Sequence, residues 1–344
     1  MGRPGCIADR DDGAGEIVKS AGVRFTMGVV CALLLVWMPL AQAQSQHRVF
    51  RVGLLIPTAG RGPLEDIREK RFADLGWIKG RNISFVYRYS KVNDRLPALA
   101  KELAQEKVDV IMAVGTPAAL AAKQATAAIP VVFHEVGDPV GVGLVSSLGR
   151  PGGNVTGISS ITFELGAKRL KLLTEILPEA RRIGVLMNRT DPTAAQVLEA
   201  LKAGLASGDV TVEPFYAGRP AEIETAFQSM KRLHVDGVMV QPDGMFWAQR
   251  VRIVRLAAQL RLPTVYPHKQ DVEAGGLMSY GASFLPMQAQ AIAYVDRILK
   301  GVKPGDLPIQ RAAKFELYVN LKTAKALGLT IPQSLLLQAD KVIE

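Results

Sequence analysis

Between Val108 and Gly157 the chain reads VDVIMAVGTPAALAAKQATAAIPVVFHEVGDPVGVGLVSSLGRPGGNVTG. An apolar run, Val110 to Val114, stops at Gly115-Thr116-Pro117. An Ala-rich segment follows, and a second apolar run, Ile129 to Val136, stops at Gly137-Asp138-Pro139. Short apolar runs bounded by turn residues and separated by helical segments predict a strand–helix–strand unit of a parallel sheet. Thr or Asp suits a helix N-cap and Pro suits the first helical turn, so each strand is expected to hand over to a helix start. Unpaired N–H groups at such starts favour anionic groups. In open parallel sheets these turns gather at the carboxyl ends of the strands, where ligands bind.

The same alternation runs almost the whole length. Strands are expected at Val49–Ile56, Asn82–Tyr89 and Asn154–Ser160, with helices at Pro63–Leu75 and from Asp94 to Glu106. Leu96, Leu99 and Leu103 share one face of the second helix. Glu164–Leu177 is amphipathic, with Leu170, Leu173, Ile176 and Leu177 as a core stripe. A second series opens at Arg182: strands at Arg182–Asn188, Val210–Tyr216, Asp236–Gln241, Pro263–Tyr266 and Leu277–Gly281, and helices to Leu205, over Ala221–Leu233 and over Trp247–Leu260. A long helix, Leu285–Leu299, a strand, Phe315–Val319, and a helix, Leu321–Leu327, complete the tail. Two such series predict an α/β protein of two doubly wound, Rossmann-like lobes joined by a hinge. The expected division is residues 44–162 for the first lobe and 163–281 for the second. Residues 282–344 are expected to return to the first lobe.

The N-terminus carries a separate signal. Gly28 to Leu40 (GVVCALLLVWMPL) is apolar but too short to span a bilayer comfortably, and Ala41-Gln42-Ala43 follows as a small-x-small site. With Lys19 and Arg24 upstream, residues 1–43 read as an extension plus secretory signal peptide, cleaved after Ala43. A buried or anchoring helix is the alternative. Cleavage would remove Cys6 and Cys31, the two cysteines of the chain, excluding disulfides and thiolate metal sites from a mature protein that is expected to be soluble.

Other chemistries are poorly supported. The net charge of +10 is spread without a dense or aromatic-interleaved basic tract, so nucleic acid is not an expected partner. Gly141-Val142-Gly143 begins like a dinucleotide fingerprint but has Ser146 in place of the third glycine. The histidines at 47, 134, 234 and 268 show no zinc spacing, and no P-loop, HExxH or GxSxG occurs. No cofactor, metal or catalytic group is therefore expected.

Several strand-end turns recur: Pro57-Thr58, Gly115-Thr116-Pro117, Gly137-Asp138-Pro139, Asn188, Pro242-Asp243 and Tyr280-Gly281. Capping accounts for any one of them; together they point to a cleft between lobes. Thr116 and its helix start would suit a carboxylate, and Asp138 or Asp243 an ammonium group. Phe246, Trp247 and Tyr266 can stack on an aromatic ligand or pack in the core.

DRLPALAKEL from Asp94, VGTPAALAAKQAT from Val114, VGDPVGVGLV from Val136, RPGGNVTG from Arg150, AGGLMSYG from Ala274, YVDRILKG from Tyr294, and KFELYVNLKTAKALGLTIP from Lys314 form a linked set. Through them the chain resembles bacterial ABC transporter substrate-binding proteins of the tryptophan/tyrosine type, with the type I periplasmic binding fold. The resemblance implies a small-molecule ligand held between lobes that close about a hinge and then delivered to an inner-membrane permease; a monomer is expected, since these folds need no partner to bury their cores. It carries ligand contacts onto Thr58, Gly115, Thr116, Asp138, Asn188, Asp243 and Tyr280. The first loop departs from the family's pattern, since Ala59 to Lys70 is short and unusually charged. A ligand-sensing module for a membrane signalling receptor is the alternative, and an exported enzyme on the same lobes is a third.

Overall fold

The computed structural model describes residues 48–204 and 210–344, together with Gly2. The signal-peptide reading, its cleavage site and His47 lie outside the described residues. Among these residues no helix is long and apolar enough to cross a membrane.

Two sheets organise the chain from Val49 onward. The first has strand order β11-β5-β4-β3-β1-β2, every neighbour parallel. Its strands are β1 (Phe50–Ile56), β2 (Ile83–Tyr89), β3 (Val110–Val114), β4 (Val131–Val136), β5 (Val155–Ser159) and β11 (Gln310–Arg311). The second has order β13-β12-β10-β9-β8-β6-β7. Its strands are β6 (Arg182–Met187), β7 (Thr211–Tyr216), β8 (Gly237–Val240), β9 (Thr264–Tyr266), β10 (Met278–Ala282), β12 (Phe315–Asn320) and β13 (Lys341–Ile343). All its pairs are parallel except β10 with β12.

The strands are apolar on both faces because both faces are covered. In β3, Val110 and Met112 meet α10 (Phe284–Leu299) through Ile292 and Val295. Ile111 and Ala113, one residue out of phase, meet Leu99 and Leu103 of α2 (Leu96–Gln105) and Ala118 and Ala122 of α3 (Thr116–Ala125). This period of two is the pleat read as packing. In the second lobe, Val185 and Met187 pack with Leu170 and Leu173 of α4 (Thr162–Ile176) and Leu201 of α5 (Ala194–Ala203). Leu186 turns to the other face, where Phe227 of α6 (Glu222–Arg232) and Ile253 of α8 (Arg250–Gln259) cover it.

The described chain crosses between lobes three times: after β5, after β10 and after β11. The crossings lie side by side. Ala312 N–H donates to Ser159 O at 2.8 Å, and Ser283 N–H to Lys314 O at 2.9 Å. Ile161, opening the first crossing, has φ 48°, an uncommon and strained conformation for a β-branched residue.

Several elements differ from expectation. Residues 282–344 divide rather than return as a block: α10 and β11 join the first lobe, whereas β12 and β13 extend the second sheet. Leu317 and Val319 explain the difference, because their apolar face is buried in the core beneath α4. The expected helix over Trp247–Leu260 is two, α7 (Gly244–Ala248) and α8, meeting at Gln249. A short helix, α9 (Lys269–Glu273), follows β9, and α11 (Leu321–Leu327) and α12 (Gln333–Gln338) pack under the C-terminal strands. No helix follows Gly137-Asp138-Pro139. Glu135 has φ 66° and interrupts the β4–β5 register, and the Asp138 carboxylate closes a turn by accepting Val140 N–H at 3.2 Å and Gly141 N–H at 2.9 Å. A side chain spent on a local turn leaves the backbone no reason to continue as helix.

Candidate ligand-binding site

The carboxyl ends of β1, β3 and β4 face those of β6, β8 and β9 across a cavity of about 430 Å³. That volume lies within the range of small-molecule sites. Turns from both lobes line it, which is what two doubly wound sheets facing one another produce.

The first-lobe wall is built from two helix starts. Gly115, at φ 81°, is the N-cap of α3, a backbone conformation that glycine adopts without strain. Thr116 is therefore the first helical residue rather than the cap. Its hydroxyl takes no part in capping, and Gly115, Thr116 and Pro117 all line the cavity. Thr58 lines it from the loop after β1, its hydroxyl 3.5 Å from Gly60 O. Helix α1 (Pro63–Asp74) begins at the same wall. Its buried face carries Glu65, Arg68 and Phe72, while Ile67 is 44% exposed. Glu65 accepts Gly62 N–H at 2.7 Å, and its other oxygen lies 3.5 Å from Arg68 Nη1.

The second-lobe wall is acidic. Asp243 caps α7, accepting Met245 N–H at 2.8 Å and Phe246 N–H at 3.2 Å through Oδ1. Its Oδ2 accepts Asn188 Nδ2 at 3.0 Å and faces Asn93 Nδ2 of the first lobe at 3.5 Å. Burial, and then the neighbouring Asp191, push its carboxyl up to about 6. Burial also raises Asp191, against hydrogen bonds from Thr193 and Gln241. Gln241 Oε1 is buried on this wall without a hydrogen-bond partner among the described residues. Trp247 presents the aromatic surface, with Arg250 over its ring at 4.9 Å and His268 edge-on at 5.0 Å.

Glu135 and His268 meet across the lobes, 3.7 Å apart. Burial pushes the Glu135 carboxyl up to about 8 and the His268 imidazole down to about 3, the latter helped by Arg169 and Arg250. At neutral pH the contact is thus between two neutral groups rather than an ion pair.

Thr58, Gly115, Thr116 and Asp243 are brought together on the cavity wall. Asp138, Asn188 and Tyr280 are not. Asp138 closes its own turn, and Gly137 reaches the wall in its place. Asn188 is fully buried behind Asp243. Tyr280 stacks on Phe315 at 6.5 Å and packs on the second-lobe core, because its position in β10 points it away from the cleft. Phe246 and Tyr266 are core residues, which leaves Trp247 as the aromatic ring of the original three at the wall. Sequence reasoning missed Glu65, Arg68, Glu135, Gln241 and His268. For Arg68 a signal existed: with Glu65 and Phe72 it forms an i, i+3, i+7 face whose apolar member is buried.

The sequence profile described as ABC transporter substrate binding protein matches residues 68–343. The chain belongs to this family. Its members are solute-binding proteins, and the two-lobed architecture is the type I periplasmic binding fold. A tyrosine-binding protein from Clostridioides difficile (strain R20291) is 28% identical over 263 residues, covering 76% of this chain and 75% of the relative. The crystal structure of a conserved domain protein from Vibrio cholerae superposes with a TM-score of 0.77 at 29% identity, covering 86% of this chain and 100% of that one. A Streptococcus pneumonia ABC domain in complex with L-Trp gives the same TM-score and coverage at 27% identity. The cavity described above is lined by residues of both lobes.

Proposed function

We propose that this protein is the periplasmic binding component of an ABC importer, capturing an amino acid or another aromatic, carboxylate-bearing solute between its lobes and delivering it to an inner-membrane permease. The observation that carries this reading is the composition of one cavity: Trp247 beside the carboxylates of Asp191 and Asp243 on one wall and the α3 helix start on the other. A ligand ammonium group pairs with Asp243, its carboxylate meets the first turn of α3 at Thr116, and its ring lies against Trp247. Thr58 closes the near edge. Asn188 acts through Asp243 by fixing its carboxylate, while Asp138 and Tyr280 hold the frame. The N-terminal signal supplies export, and the protein works as a monomer with the lobes closing on the ligand.

The test is a thermal-shift screen of residues 44–344, freed of carried-over ligand, against amino acids, aromatic acids, sugars and nucleosides. A ligand at a hundredfold excess over its dissociation constant stabilises the folded state by about 2.7 kcal/mol. A shift with amino or aromatic acids, without turnover, supports the reading. A shift confined to sugars or nucleosides overturns the ligand class.

A further inference from the structure

We infer that Arg68 is the residue that selects for an anionic ligand, holding the ligand's carboxylate from the first-lobe wall. The inference rests on the cavity being the ligand site. Arg68 is 1% exposed, yet it lines that cavity. Its Nε and Nη1 are buried without a hydrogen-bond partner among the described residues, and its ion-pair partner Glu65 stands at 3.5 Å, beyond a good hydrogen bond. A guanidinium presents five donors in a planar fork that fits a carboxylate in bidentate fashion. A buried charge left with such donors open is costly, so the site is completed by an acceptor arriving with the ligand.

The other charged groups of the wall do not compete for this role. Arg250 donates to Trp247 O at 3.1 Å and lies over the Trp247 ring. His268 is neutral at physiological pH and packs edge-on against the same ring. The facing wall offers acceptors, Asp243 and the unpaired Gln241 Oε1, opposite the open donors of Arg68. A solute with a carboxylate at one end and an ammonium at the other satisfies both.

The experiment measures binding of three acids, L-tryptophan, L-tyrosine and benzoate, and of their primary amides, by titration calorimetry on the wild type, Arg68→Gln and Arg68→Lys. The amides keep the ring and lose the anionic charge. The expected result is that the wild type prefers an acid over its amide. Arg68→Gln then loses about a hundredfold for the acid, with the amide little changed. Arg68→Lys, which keeps the charge but not the fork, decides the matter if the Gln variant does not fold, with about a tenfold loss confined to the acid. An unchanged acid affinity, or equal losses for acid and amide, overturns the role of Arg68 while leaving the binding site in place. A wild type that binds none of the six compounds overturns the ligand class itself, and the Arg68 assignment falls with it.

Discussion

Asn93 and Asp243 face each other from opposite lobes, with Asn93 Nδ2 3.5 Å from Asp243 Oδ2, the oxygen that also accepts from Asn188. The contact is weak in geometry but specific in place, joining the lobes at the cavity. Replacing Asn93 by Ala removes it without touching either core. Ligand affinity is expected to fall by about three- to tenfold, with the melting temperature of the ligand-free protein little changed. Titration calorimetry beside thermal denaturation checks both halves.

The Asp243 carboxyl, raised to about 6 by burial and by Asp191, makes binding depend on pH. A ligand ammonium group needs the ionised form. Affinity for an amino acid should therefore rise as pH climbs through about 6, and fall by about tenfold per unit below it. Asp243→Asn keeps the helix cap and flattens this profile while weakening binding. Calorimetry between pH 5 and 8 on both proteins tests it; parallel profiles would remove Asp243 from the ammonium site.

Glu135 sets a second pH dependence, this time of stability. Its folded-state value near 8 lies above the ordinary 4.5, so the folded chain holds the proton more tightly than the unfolded one. That contribution is full at low pH and is lost as pH rises through about 8. His134 and His268, both pushed down to about 3 by burial, act in the opposite sense but only below 6.5. Above 6.5 the falling slope of Glu135 remains, joined up to about 7 by Asp271. Glu135→Gln should raise the melting temperature at pH 8.5 by ~2–4 °C and flatten the slope between pH 6.5 and 8, read by differential scanning calorimetry.

Gly244 is held against Pro57 of the other lobe. A Cβ at this position would stand 2.4 Å from Pro57 O. Gly244→Val should hold the lobes apart while each keeps its own packing. Small-angle scattering should show a larger radius of gyration that ligand no longer reduces, and affinity should drop by about tenfold or more. A variant as compact as the parent would show that the backbone yields there instead.

The fold was legible because it is written in short-range periodicity. Val110 to Val114 and Ile129 to Val136 are too apolar for anything but strands covered on both faces, and both are. Turn chemistry was less reliable. Asp138-Pro139 looks like a helix start, but Asp138 folds back on Val140 and Gly141, a choice that depends on the bulge at Glu135 and leaves no mark in composition. The cavity wall was half legible. Thr58, Gly115, Thr116 and Asp243 sit at strand ends, which sequence locates. Asn188 and Tyr280 also sit at strand ends, but which way a side chain points there is a matter of register. Arg68 was hidden by the usual assumption that a helix turns its charges outward; α1 buries Glu65 and Arg68 and leaves Ile67 exposed.

The three crossings between lobes, cross-linked at Ser159–Ala312 and Ser283–Lys314, form a narrow ribbon. Such a ribbon behaves as a leaf spring: compliant to flexing across its face, stiff to shear and torsion within it. The lobes then share a single path of motion, and the mouth of the cleft opens along one line. The width of that mouth is then a single distance, set by the ribbon and readable at the tips of both lobes.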